Sequence, residues 1–203
     1  MKNLMYIFCF ICFLSFNYSI KAQDNSLDNY LERHPLYDYN EHTLNNTDTI
    51  PDFKSKKSKL KVSGTIYESD GTTPAKNVIL FIEQADENGD FDLKKHNNKR
   101  YVKHRGWVKT NADGQYTFYT FLPGNDRRYN QLQQLFPVIK EPLKAEYEIE
   151  SFLFDEDPML TKLCRKKITK KGDASRILKL KKENGLYVAQ KDIVLNYHTK
   201  TTK

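Results

Sequence analysis

Residues 104–124 constrain this chain more than any other stretch. Two β-favouring segments, residues 105–110 and 115–122, flank Asn111-Ala-Asp-Gly114. The second carries Tyr116, Phe118, Tyr119 and Phe121, aromatic content that suits a pleated, half-buried surface. Asp113-Gly114 supplies a positive-φ position, so the spacing predicts a β-hairpin. Pro123-Gly124 ends the second strand. The other strands are expected to pack on this hairpin, with any pocket opening just past its Pro-Gly end.

The flanking sequence repeats the same style. Residues 60–67 alternate as a strand, and Ser69-Asp-Gly-Thr-Thr-Pro74 is turn chemistry. Residues 77–83 are almost continuously apolar, which predicts a strand buried on both faces. Residues 93–99 read as a polar extension without a core signal. Residues 136–140 form a short strand stopped at Glu141-Pro142. Residues 146–154 alternate, with Tyr147 and Ile149 inward and Glu146, Glu148 and Glu150 outward. Residues 159–167 are expected to form a short helix, and Asn184-Gly185 predicts a second hairpin, between residues 175–182 and 186–195. Seven to eight short strands with little helix predict an all-β antiparallel sandwich.

The 203 residues suffice for one domain with appendages. Residues 1–22 read as a signal peptide, with a positive start, an apolar run over residues 6–16 and a small residue, Ala22, at the cut. That predicts a secreted or periplasmic protein with no membrane span once the leader is removed. Its loss takes Lys2 and Lys21 and no acids, lowering the formal +7 to +5. The basic residues cluster at residues 54–61 and 162–171, as a linker and a loop rather than one aromatic-studded face, so nucleic acid is not expected as a partner. Cys164 is the only cysteine after residue 22, which rules out an internal disulfide framework; it reads as a part-buried passenger among Leu160, Leu163 and Ile168. Residues 23–58 form a polar N-terminal arm that docking of Leu36, Tyr37 and Tyr39 would order in part. The sandwich domain is expected over residues 59–196, with a polar tail at 197–203.

Two pieces in order carry a family likeness. The first is Gly64-x-Ile-x-x-x-Asp-Gly-x-x-Pro-Ala75, an apolar strand, then Gln84-Ala-Asp-x-x-Gly-x-Phe91. The second is Arg105-Gly-Trp-Val-Lys-Thr-Asn-Ala-Asp-Gly-Gln-Tyr-Thr-Phe118, closed by Leu122-Pro123. With the later Phe152-Leu-Phe-Asp-Glu-Asp-Pro-Met-Leu-Thr161, these resemble the intradiol ring-cleavage dioxygenases, the catechol and protocatechuate enzymes, over residues 60–195. The first piece is shared with transthyretin-like and carboxypeptidase-regulatory sandwiches.

The resemblance implies a ferric ion held by two tyrosinates and two histidines, where a catechol dianion binds and O₂ cleaves the ring. Position by position, this sequence departs from it. Phe91 stands where the first tyrosine is implied, Asp126 where the second is, with Tyr129 nearby, and Gln134 and Phe136 hold the places of the histidine pair. Of the five histidines, His34 and His42 lie in the arm, His96 and His104 precede the central strands, and His198 lies in the tail, so none substitutes by spacing. Phe91, Asp126, Tyr129, Gln134 and Phe136 are therefore candidates for a ligand pocket, with no catalytic residue and no metal ligand assigned. No cofactor is expected, or Fe(III) if a working dioxygenase has its ligands elsewhere.

The remaining constellations read as structure. Asp155-Glu-Asp157 lacks the spacing of a calcium loop and is expected to be a solvated turn. Arg105 fits a strand-leading turn, and Trp107 a place in the core. Asp126-Arg-Arg-Tyr129 is a charged loop at the expected pocket mouth. No nucleophile elbow, phosphate-binding loop or zinc pattern is present. The expected function is non-catalytic binding of a small aromatic or carbohydrate-like ligand, or of a partner. An active intradiol dioxygenase and a transthyretin- or carboxypeptidase-regulatory-like accessory module are the alternatives. The sequence sets no oligomeric state.

Overall fold

The computed structural model describes residues 30–195, so the leader and tail expectations lie outside the described residues. The chain divides into two units, Met1–Arg33 and His34–Lys203. Of the first, only residues 30–33 are described, a turn in which Arg33 lies over the Tyr30 ring. No described helix is long and apolar enough to cross a membrane.

Unit two is a β-sandwich. Its strands are β1 (Thr47–Thr49), β2 (Lys59–Tyr67), β3 (Ile79–Gln84), β4 (Leu93–His96), β5 (Lys99–Val102), β6 (Arg105–Lys109), β7 (Gln115–Phe121), β8 (Gln134–Lys140), β9 (Tyr147–Glu148), β10 (Phe152–Phe154), β11 (Ile177–Leu178), β12 (Lys181–Glu183), β13 (Leu186–Gln190) and β14 (Ile193–Val194). Among the described residues the α-helix α1 (Lys162–Lys171) is capped by the Thr161 hydroxyl, which accepts from the Cys164 N–H. The first sheet runs β1-β7-β2-β13-β12, with β14 also on β2; the second runs β11-β10-β8-β3-β6, with β9 on β8. The long central pairings are antiparallel, whereas β1–β7, β13–β2, β14–β2 and β10–β11 are parallel.

Alternation decides which side chains fill the space between the sheets. Leu60, Val62, Ile66, Tyr116 and Phe118 from the first sheet meet Leu80, Ile82, Val108, Leu135 and Ile139 from the second. Fully burying each such side chain contributes about 1.5–3 kcal/mol. Two polar pairs lie inside this layer: the Thr120 hydroxyl donates to Gln84 Oε1 at 2.5 Å, and Tyr116 Oη donates to Lys191 O at 2.6 Å.

The expected central hairpin is corrected. β6 pairs with β3 in the second sheet, and β7 pairs with β2 in the first, so the turn between them is an arch across the core. Asn111 Oδ1 accepts the N–H groups of Asp113 and Gln115, and Gly114 takes φ +68°. The two ends of the turn are claimed by different partners, Thr110 by Val78 and Gly114 by Ile66. Inward-facing residues alternate identically in an arch and in a hairpin, which is why the pattern alone misplaces the strands. The polar stretch near residue 95 is also corrected: β4 and β5 form an outlying hairpin turned through Asn97 and Asn98, both at positive φ. Asn184-Gly185 does join β12 to β13, as its chemistry predicts.

The segment before β2 is part of the packing. β1 lies along β7, while Lys109 N–H donates to Asn45 O and Trp107 N–H to an Asp48 carboxylate oxygen, which closes the edge between the two sheets. Leu36, fully buried, covers the outer face of the second sheet together with Phe81 and Val138, flanked by Tyr37 and Trp107. The Trp107 indole N–H donates to Leu36 O at 2.8 Å. β3 is therefore buried on both faces, and its near-continuous apolar sequence follows from that.

Candidate functional site

The site lies on the outer face of the second sheet, where Gln134, Phe136 and Val138 of β8 alternate with core-facing Leu135 and Ile139. Phe91 reaches it from a tight turn. Asp86 Oδ1 accepts the N–H groups of Asn88 and Asp90, and Gly89 sits at φ +91°. A Cβ on Gly124 would stand 2.4 Å from Gly89 N, and one on Gly89 would stand 2.6 Å from Asn125 O. Only glycines let the two backbones approach so closely. This contact fixes the end of β7 against the turn that precedes Phe91.

Phe91 then packs on Phe136, with ring centroids 5.7 Å apart and planes at 48°. Gln134, on the same face, has its Oε1 taken by the Ser151 hydroxyl at 2.8 Å, and Arg176 donates to Ser151. Asp126 is bonded to Gln131 through both backbone groups. Its carboxylate accepts from Arg128 N, Nε and Nη2 at 2.8, 3.1 and 2.8 Å, and Arg128 also reaches Asp90 at 3.3 Å. The guanidinium holds the Asp126 carboxyl below the usual carboxylate range. Tyr129 projects into solvent, 79% exposed, under the Arg128 guanidinium. Of the five pocket candidates, then, Phe91, Gln134 and Phe136 share one surface, Asp126 is tied to it through Arg128 and Asp90, and Tyr129 points away.

The acidic triplet is more structural than a solvated turn. Asp157 is only 3% exposed and accepts from Asn125 Nδ2, Gln133 N and Met159 N, so it pins the loops that enter and leave the site. Asp155 pairs with Arg165. Cys164 is half-buried.

Beside Phe136 opens a groove of about 280 Å³ whose walls include His34, Phe81, Glu83, Phe136, Glu148 and Ser151. Sequence reasoning missed three of these, His34, Glu83 and Glu148, because the arm must fold back across the sheet before they meet. His34 Nδ1 accepts the Leu36 N–H at 3.0 Å, which leaves the neutral ring's proton on Nε2. Burial lowers the His34 pKa, opposed by Glu146 and Glu148. The ring stands edge-on to Phe81 at 5.7 Å. Burial raises the Glu83 carboxyl, which Arg105 opposes and Glu148 reinforces. Arg105 is itself engaged, 3.3 Å from Asp38 and stacked 4.0 Å from the Tyr101 ring centroid. Among the described residues no three His, Cys, Asp or Glu side chains gather closely enough to hold a metal ion.

No protein-family model matches the sequence, and no curated protein matches it either. Solved structures do match. An intradiol ring-cleavage dioxygenase from Tetranychus urticae gives a TM-score of 0.58 at 17% identity, over 78% of this chain and 89% of that one. The dioxygenase domain of a dioxygenase carbohydrate-binding protein fusion from Streptomyces sp. SirexAA-E gives 0.55 at 21%, over 70% and 81%. Catechol 1,2-dioxygenase from Acinetobacter radioresistens gives 0.55 at 10%, over 76% of this chain and 58% of the enzyme. At such identities the likeness establishes architecture. The chain has the intradiol ring-cleavage dioxygenase fold.

Proposed function

We propose that this is an exported, non-catalytic protein that uses the outer-face surface of an intradiol dioxygenase fold to bind a small ligand. The observation that carries the reading is the Phe91–Phe136 contact: two phenyl rings pack together at places where the resemblance implies a tyrosinate and an imidazole. Neither ring offers a lone pair to ferric iron. The other two places are committed to protein partners, Gln134 Oε1 to Ser151 and the Asp126 carboxylate to Arg128. This donor set does not fit the iron that the fold family implies, so no ring-cleavage step is derived for it. That Phe91, Gln134 and Phe136 share one surface favours an altered dioxygenase site over an accessory module without enzymatic ancestry.

Oxygen uptake with catechol and protocatechuate as substrates tests the reading. The expected rate equals that of a protein-free control, with or without added iron. Consumption of O₂ that scales with protein would overturn it.

A further inference from the structure

The groove beside Phe136 has one-sided chemistry. Its lining carries two carboxylates, Glu83 and Glu148, and no lysine or arginine. Neither carboxylate makes a hydrogen bond or an ion pair among the described residues, although Glu83 is half-buried. The nearest cation felt by Glu83 is Arg105, held away by Asp38 and by the Tyr101 and Trp107 rings. His34 Nδ1 accepts the Leu36 N–H, so the ring adds no fixed positive charge. The apolar walls are Phe81, Phe136, Val138 and Ile149.

A half-buried carboxylate left without a donor costs folding energy that a surface carboxylate does not. An aromatic-walled recess beside it gives that cost a use. Aromatic faces and carboxylates both attract organic cations, and both disfavour the dianionic catechols that the fold's iron enzymes take. The volume is that of a single-ring or short-chain molecule, at the small end of ligand sites.

We propose that this groove binds an organic ammonium ion with a compact apolar body, the ammonium between Glu83 and Glu148 and the body against Phe81 and Phe136. The proposal rests on the non-catalytic binding reading above and names the chemical class of its ligand. Carboxylates would accept the ammonium N–H groups, and the ring walls would exclude water from the body.

Trp107, the sole tryptophan, packs tilted against Phe81 with ring centroids 5.3 Å apart and so reports occupancy of the groove by its fluorescence. The experiment is a titration of the full chain with phenethylamine, 2-phenylethanol and phenylacetate, which share one body and differ in charge. The expected result is saturable binding of phenethylamine, with 2-phenylethanol at least about tenfold weaker and phenylacetate silent. Glu148→Gln, an exposed position that does not threaten folding, is expected to weaken phenethylamine about tenfold. Equal or tighter binding of phenylacetate or 2-phenylethanol would overturn the ammonium assignment while leaving the groove a binding site. Failure of all three to perturb Trp107 or release heat in calorimetry would overturn the groove itself. Protein-dependent O₂ uptake on catechols would instead overturn the reading beneath it, so the two failures are separable.

Discussion

Two grooves flank Ile149, and they treat charge in opposite ways. The larger, about 530 Å³, is lined by Glu150, Asp173, Arg176, Lys191 and Asp192, and its carboxylates are partnered: Arg176 pairs with Glu150 at 3.1 Å, Lys191 with Asp173 at 2.7 Å, and Asp192 accepts the Thr65 N–H at 2.9 Å. Lys191 is only 6% exposed, and its backbone carbonyl also accepts from Tyr116, so this groove is a joint that fastens α1 and the β13–β14 bend to the sandwich. The smaller groove over β3 and β8 holds two carboxylates, Glu83 and Glu148, that make no ion pair among the described residues. Buried or half-buried charge that is paired contributes to holding a fold together, whereas unpaired charge lowers stability and persists where a ligand uses it. On the proposal above, the contrast between the grooves is one between assembly and recognition.

The largest effect is expected where the smaller groove depends on the arm. Leu36→Ala removes a fully buried side chain that seats the segment carrying His34, at a cost of about 3 kcal/mol in equilibrium unfolding. A loss below about 1 kcal/mol would mean that the arm only rests on the sheet. Next comes the joint. Lys191→Ala breaks the bonds to Asp173 and Ser175 and removes a buried stem from its packing, which is expected to cost about 2 kcal/mol. A neutral result would erase the distinction between the grooves.

Smaller effects sharpen it. Tyr37 donates to a Glu146 carboxylate oxygen, and burial, then that bond, pushes its pKa from 10 up to about 12. Because the folded value lies above the unfolded one, this contribution is complete below about pH 10 and is lost as pH rises through about 12. Tyr37→Phe is expected to cost about 1 kcal/mol at neutral pH and to flatten that alkaline decline. A decline of unchanged steepness in the variant would assign it to other tyrosines. The smallest effect separates the grooves most sharply in sign. Glu83→Gln removes an unpaired, half-buried charge and is expected to leave stability unchanged or raise it by up to about 1 kcal/mol. A loss of more than about 1 kcal/mol would show that Glu83 has a structural partner.

How much of this was legible in the sequence follows from how local each signal is. The apolar run that became β3 and the Asn184-Gly185 turn were legible because burial on two faces and a positive-φ pair leave marks within a few residues. The arch between β6 and β7 was not, since alternation records which way side chains point and not which sheet receives the strand. In the β4–β5 hairpin, β4 is exposed throughout and left only Asn97-Asn98 as a trace. At the candidate site, Phe91, Gln134 and Phe136 were singled out through family resemblance; Phe91 packs on Phe136, and Gln134 lies on the same face of β8. His34 was set aside as an arm residue, because nothing near it in sequence indicates that it lines a groove with Glu83 and Glu148.

The most direct test of the central claim, that this surface has exchanged metal ligation for apolar packing, is the visible absorption and iron content of the purified protein after incubation with ferric salt and removal of excess. The account predicts a colourless protein with iron far below one equivalent per chain. A burgundy protein holding one iron per chain, coloured by tyrosinate-to-iron charge transfer, would contradict it.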